Sequence, residues 1–89
     1  MSVPALPRGV RIHWDRVRQT HVLLGPERAL MLDEVAYQIL RRVDSRTDMD
    51  AISANLAQVF AAPPEKIAGD VRAFLTDLAA KRLVDLSDG

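Results

Sequence analysis

Residues 21–40, HVLLGPERALMLDEVAYQIL, decide the fold because they change hydrophobic period once and abruptly. Residues 20–24 and 29–32 are short, apolar and β-compatible, and between them Gly25-Pro26-Glu27-Arg28 puts Pro where a type I or II turn takes a preset φ. The two runs read as a hairpin. After Leu32 the spacing becomes Val35, Ala36, Ile39, Leu40 and Val43, one buried face of a helix, with Asp33 placed to cap the free amides of its first turn. The second strand of the hairpin is therefore expected to run straight into a helix.

Upstream, Val10, Ile12 and Trp14 alternate with Arg11, His13 and Asp15, the period of a strand with one face buried. Residues 16–19 are polar enough to turn the chain, so the three strands should form an antiparallel meander with residues 20–24 in the middle. Residues 1–8, with Pro4 and Pro7, are expected to be an extended arm without a fold of its own, leaving 9–86 as a single domain.

Downstream, Thr47-Asp48-Met49-Asp50 resembles a capping box with Asp in place of Glu. Met49, Ile52, Leu56, Val59 and Phe60 then make the stripe of a second helix over residues 48–60. Pro63-Pro64-Glu65 stops that helix and starts another, expected over residues 64–81, whose stripe is Ile67, Val71, Phe74, Leu75 and Leu78. Residues 83–86 are too short to assign, and 87–89 read as a frayed end. The class is α+β: a three-stranded antiparallel sheet followed by three helices, similar to a winged helix-turn-helix.

An 89-residue chain holds one domain with one modest core. Its 48% hydrophobic and 27% charged residues exclude disorder, and no apolar run is long enough to span a membrane. The absence of Cys excludes disulfides, thiolate metal sites and a Cys nucleophile. The opening MSVPALPRGV has neither a charged n-region nor a long apolar core, so it is not read as a secretory signal, and a cytoplasmic location is expected.

The residue types needed for catalysis are present but not grouped. His13 and His21 could lie across from each other on the first hairpin, but with at best Asp15 beside them they make an incomplete and exposed ligand set, so no metal is expected. Ser2, Ser45, Ser53 and Ser87 lie in no nucleophile motif, and Asp48 and Asp50 are better read as a helix start than as a catalytic pair. No catalytic residue and no cofactor are assigned. A DNA-reading third helix is disfavoured as well, because Lys66, Arg72, Lys81 and Arg82 are interspersed with Glu65, Asp70 and Asp77, and residues 48–60 contain no Lys or Arg.

The two edges of the sheet differ. The first strand carries Arg11, His13 and Asp15, which discourage another strand from pairing, whereas Ala29-Leu30-Met31-Leu32 carries no charge. Ala68, Ala73, Ala79 and Ala80 widen the low-profile surface of the third helix beyond one contact. An extended peptide could add to the third strand and lay alternate side chains on that helix. The candidate peptide-binding residues are Arg28, Ala29, Leu30, Met31 and Leu32 on the strand, and Ala68, Val71, Arg72, Leu75 and Leu78 on the helix. The same edge would also serve a paired or strand-swapped homodimer, so monomer and dimer are both expected to be accessible.

Leu23-Leu24-Gly25-Pro26-Glu27-Arg28, Leu30, Leu32, Ala36, Ile39-Leu40 and Asp44, followed by Asp70-Val71, Phe74-Leu75, Leu78 and Leu83-Val84, resemble the protein D family of pyrroloquinoline quinone (PQQ) biosynthesis. Ser45 and Arg82 stand where that family often has Gly, at two expected left-handed helix ends. The resemblance implies a non-catalytic recognition element for a ribosomally made, modified peptide. Such a protein binds the precursor peptide (protein A) between strand three and helix three and presents it to the radical S-adenosylmethionine (SAM) enzyme, protein E. The alternative class is a winged-helix DNA-binding regulator, which the mixed charge of helix three disfavours.

Overall fold

The structure, a computed structural model, describes residues 2–88. Met1 and Gly89, parts of the expected arm and frayed end, lie outside the described residues. The chain forms β1 (Ser2–Ala5), β2 (Arg11–Asp15), β3 (Thr20–Leu24), β4 (Ala29–Leu32), α1 (Glu34–Leu40), α2 (Met49–Val59), α3 (Pro64–Ala80) and β5 (Asp85–Asp88). The central sheet has the order β2-β3-β4 and is antiparallel throughout, as the alternation and the turn residues imply.

The first and last strands depart from expectation. The N-terminal residues are not a free arm: β1 pairs antiparallel with β5, Val3 opposite Ser87 and Ala5 opposite Asp85. The Ser87 hydroxyl donates to the Val3 carbonyl at 3.3 Å, and Pro4 is among the fully buried residues. Neither segment is long or apolar enough to announce itself; each is a strand because the other is there.

Cross-strand partners share a face, so Ile12, Leu23 and Leu30 form one row, and Trp14, His21 and Leu32 the next, on the side that meets the helices. Arg11, Leu24, Ala29 and His13, Val22, Met31 lie on the other face. The core beneath the sheet gathers Leu23 with Ile39 and Leu40 of α1, Ile52 and Leu56 of α2, and Val71, Leu75 and Leu78 of α3.

Capping explains where the helices begin. Asp33 accepts from the Ala36 amide at 2.8 Å, as expected, and with no free residue between β4 and its cap the hairpin and helix are directly coupled. For α2 the cap is Asp48, which accepts from the Ala51 amide at 2.8 Å, rather than Thr47 as the capping-box reading had it. Thr47 is used differently: its amide and hydroxyl both donate to Asp44, which also accepts from the Arg46 amide. These donors, the Thr47 amide foremost, hold the Asp44 carboxyl below the usual carboxylate range. That loop is therefore held together above the ordinary carboxylate pKa of about 4 and loosens as pH falls through the lower folded value.

Both long helices end in Schellman motifs without Gly. After α2, Ala61 takes φ 49° while the Ala62 amide donates to the Ala57 carbonyl. After α3, Arg82 takes φ 62°, its amide donates to Ala79 at 3.0 Å, and the Leu83 amide donates to Leu78 at 2.9 Å. Ser45 also lies in the left-handed region, at φ 68°. The Schellman turn directs Leu83 inward, 2% exposed, onto the β3–β4 turn, where a Cβ on Gly25 would lie 2.6 Å from Leu83 Cδ2.

Two stability outcomes follow from this backbone. Gly25→Ala should cost about 1–3 kcal/mol, because the new Cβ displaces the buried Leu83 side chain from its packed position. Ser45→Gly should raise stability by about 0.5–1 kcal/mol by relieving a left-handed Ser, a gain of a few degrees in Tm. Thermal denaturation of the two variants, with opposite signs expected, checks both.

Candidate functional site

The free edge of β4 can be resolved to individual backbone groups. The Gly25 amide donates to the Arg28 carbonyl at 2.9 Å, so Gly25 and Arg28 face each other as a bonded pair, and the antiparallel ladder alternates from there. Leu30 and Leu32 point their N–H and C=O groups toward β3. Ala29 and Met31 point theirs away from the sheet, into the open. Their side chains are exposed on the outer face, Met31 at 68%. Edge amides and an exposed apolar side chain thus coincide at the same two residues.

Beside this edge, α3 packs its backbone mainly on α2 and, less closely, on β5. Two recesses mark the line between α3 and the hairpin. One, of about 220 Å³, is lined by Asp33, Val35, Ala36, Ile39, Asp70 and Phe74, where α1 meets α3 just past the end of β4. The other, of about 280 Å³, is lined by Pro26, Glu27, Arg28, Lys81, Arg82 and Leu83, where the β3–β4 turn meets the end of α3. Helix α3 therefore runs antiparallel to β4.

The expected strand residues lie along this line: Arg28, Ala29 and Met31 are exposed, Leu30 is half-buried and Leu32 is in the core. The expected helix residues divide differently. Val71, Leu75 and Leu78 are 1%, 0% and 1% exposed, and offer no wall to a peptide. They sit at the centre of the apolar stripe, which the helix spends on α2 and the sheet. Ala68 and Arg72 fall on one flank of that stripe, whereas Asp70, Phe74, Asp77 and Lys81 fall on the other by the 100° step of the helix. The recess linings place the second flank toward the hairpin. Half-buried Phe74 and 45%-exposed Val35 are the apolar groups that reach the groove. A Phe at the margin of a stripe was the available signal, but which margin is free depends on where α2 packs.

The histidines do not face each other. His13 pairs with Val22 on the outer face, while His21 pairs with Trp14. His21 stacks on Tyr37 of α1, centroids 3.8 Å apart and planes at 10°, and meets Trp14 edge-on at 4.8 Å. These rings clamp α1 to the sheet. Among the described residues, no group of His, Cys, Asp and Glu is placed to hold a metal ion. Among the same residues no helix is long and apolar enough to cross a membrane.

A family model described as coenzyme PQQ synthesis protein D (PqqD) matches residues 20–84. The chain belongs to the PqqD family. It is similar to the PqqA binding protein of Rhizobium meliloti (strain 1021), 45% identical over 85 residues that cover 96% of this chain and 87% of that protein. It is also 45% identical over 84 residues to the bifunctional coenzyme PQQ synthesis protein C/D of Methylorubrum extorquens, covering 94% of this chain and 23% of that longer protein. Among solved structures, it resembles the PqqD truncation of Methylobacterium extorquens PqqCD, described as a stand-alone RiPP recognition element. The TM-score is 0.80 and the identity 44%, over 93% of this chain and 88% of that one. Xanthomonas campestris PqqD is similar at a TM-score of 0.62 and 40% identity, over 89% of this chain and 88% of that one. The PqqD assignment carries the α+β fold with it, and Ser45 and Arg82 adopt the left-handed conformation expected where the family often has Gly.

The depth of Leu75 has a direct consequence. Leu75→Glu should abolish cooperative folding, since it puts a carboxylate among apolar side chains without a partner. Val35→Glu should leave the circular dichroism and Tm close to wild type. The pair separates core from groove before any binding measurement.

Proposed function

We propose that this PqqD-family chain binds the precursor peptide of PQQ biosynthesis as a fourth strand on β4 and hands it to the radical SAM enzyme of the pathway. The observation that carries the reading is the pair of outward-facing backbone edges at Ala29 and Met31, set beside the apolar recess of Val35, Ile39 and Phe74. Main-chain hydrogen bonds to the edge provide affinity, and side chains entering the recess provide selectivity. The names of the relatives, PqqA binding proteins and a RiPP recognition element, support it.

No catalytic step is assigned to the chain; its part is to order a flexible peptide, and the chemistry belongs to the partner enzyme. In the absence of peptide the same edge can pair with a second copy, so peptide and dimerisation compete for one surface.

Met31→Pro tests the reading. Proline removes the one N–H at this position, which faces away from β3, and an edge strand tolerates it there. The variant should fold with a Tm near that of wild type and bind synthetic precursor peptide about tenfold or more weakly, having lost a hydrogen bond and gained a ring in the path of the incoming strand. In isotope-labelled protein, peptide should shift the amides of residues 28–32, Val35 and Phe74 and leave α2 nearly still. A folded Met31→Pro that binds as wild type would exclude strand addition at β4.

A further inference from the structure

The two ends of the groove differ in charge. At the turn end, Arg28, Lys81 and Arg82 outnumber the one carboxylate of the recess, Glu27, and neither the Arg28 nor the Arg82 guanidinium has a hydrogen-bond or ion-pair partner among the described residues. Lys81, beside them, is held by Asp77 at 2.7 Å. At the α1 end the recess is rimmed by the carboxylates Asp33, which caps α1, and Asp70, 3.5 Å from the exposed Lys66 ammonium, and is floored by Val35, Ile39 and Phe74; it has no Arg or Lys in its lining. Arg82 is also the residue that holds a left-handed φ of 62° at the helix end, a position Gly would occupy without steric cost. An Arg kept under backbone strain, unpaired and facing a recess, points to a use for its side chain.

Strand geometry relates the two ends. Side chains of an added strand opposite Arg28, Leu30 and Leu32 fall on the inner face, toward α3, while those opposite Ala29 and Met31 fall on the outer face. From Arg28 to Leu32 the strand covers about 13 Å. From Phe74 to Lys81 α3 rises about 10 Å. The recesses are therefore spaced for two peptide side chains about four residues apart on one face.

We propose that the groove selects an extended peptide carrying an Asp or Glu that Arg28 and Arg82 hold, about four residues from an apolar side chain that fills the Val35, Ile39 and Phe74 recess. This deepens the strand-addition reading and rests on it. The guanidinium pair accepts a carboxylate through charge-assisted hydrogen bonds. The carboxylate rim at the far end disfavours a second acid there, so the groove fixes the register of the peptide as well as holding it. Strand pairing alone, which is indifferent to side chains, leaves register open.

The test uses the full chain and synthetic precursor peptides in which each Asp and Glu in turn is replaced by its amide. Arg82→Gly should raise Tm, because it relieves the left-handed residue, yet bind wild-type peptide roughly five- to tenfold more weakly, so a loss of binding is not a loss of fold. Arg28→Ala should weaken binding to a similar extent. One amide peptide should lose the same factor against wild-type protein and lose nothing further against the Arg82→Gly, Arg28→Ala double variant; the other amide peptides should lose it in full. Affinity unchanged in both single variants, or a loss shared equally by every amide peptide, would overturn the charge selection. If Met31→Pro abolishes binding while Arg82→Gly leaves it unchanged, only the charge selection fails; if Met31→Pro binds normally, strand addition itself fails.

Discussion

The close approach of Leu83 to Gly25 sets the relation between the two halves of the chain. The Schellman turn at the end of α3 directs Leu83 back under the helix, and the missing Cβ of Gly25 lets it settle against the β3–β4 turn. With α3 held at the turn by Leu83, and α1 joined to β4 without a spacer through Asp33, the groove between α3 and the hairpin is defined at both ends. A buried Leu contributes about 1.5–3 kcal/mol, so this contact is a large part of what a domain of this size has to spare.

That arrangement leaves the outer edge of β4 unpaired, a liability for most proteins and the edge that strand addition would use. Nearly every other exposed feature is conventional: among the described residues, carboxylates cap helices and turns, the three ion pairs are short-range and mostly exposed, and no buried side-chain polar atom lacks a partner. Along the groove, the outward amides and carbonyls of Ala29 and Met31 and the guanidinium groups of Arg28 and Arg82 have no partner among the described residues. The proposed extended peptide would satisfy both sets together, the backbone through strand pairing and the cations through a carboxylate.

Much of this was legible along the chain. The hairpin and its direct passage into α1 followed from the change of period at Asp33, and the contrast between the charged edge of β2 and the uncharged β4 followed from residue type alone. What sequence patterning misread was rank within a stripe. Val71, Leu75, Leu78 and Phe74 are all apolar at helical spacing, and nothing local separates the three that are buried from the one at the groove. The pairing of His21 was likewise misplaced by one position, because a polar turn does not specify which residues lie opposite, and a shift of one exchanges the faces of the strand.

The sequence by itself determined the elements reporting on near neighbours: periods of two and of 3.6, capping Asp residues, Pro at turns and at the start of α3, and an edge without charge. These depend on interactions within about a turn of helix or a hairpin, so they are written locally. Only the tertiary structure decided that β1 and β5 make a second sheet, that Leu83 meets Gly25, and that the Phe74 flank of α3 faces the hairpin. Val3 and Ser87 are brought together from opposite ends of the chain, and which helix flank stays open depends on where α2 packs; such outcomes are set by the sum of distant contacts, which no short window of residues contains.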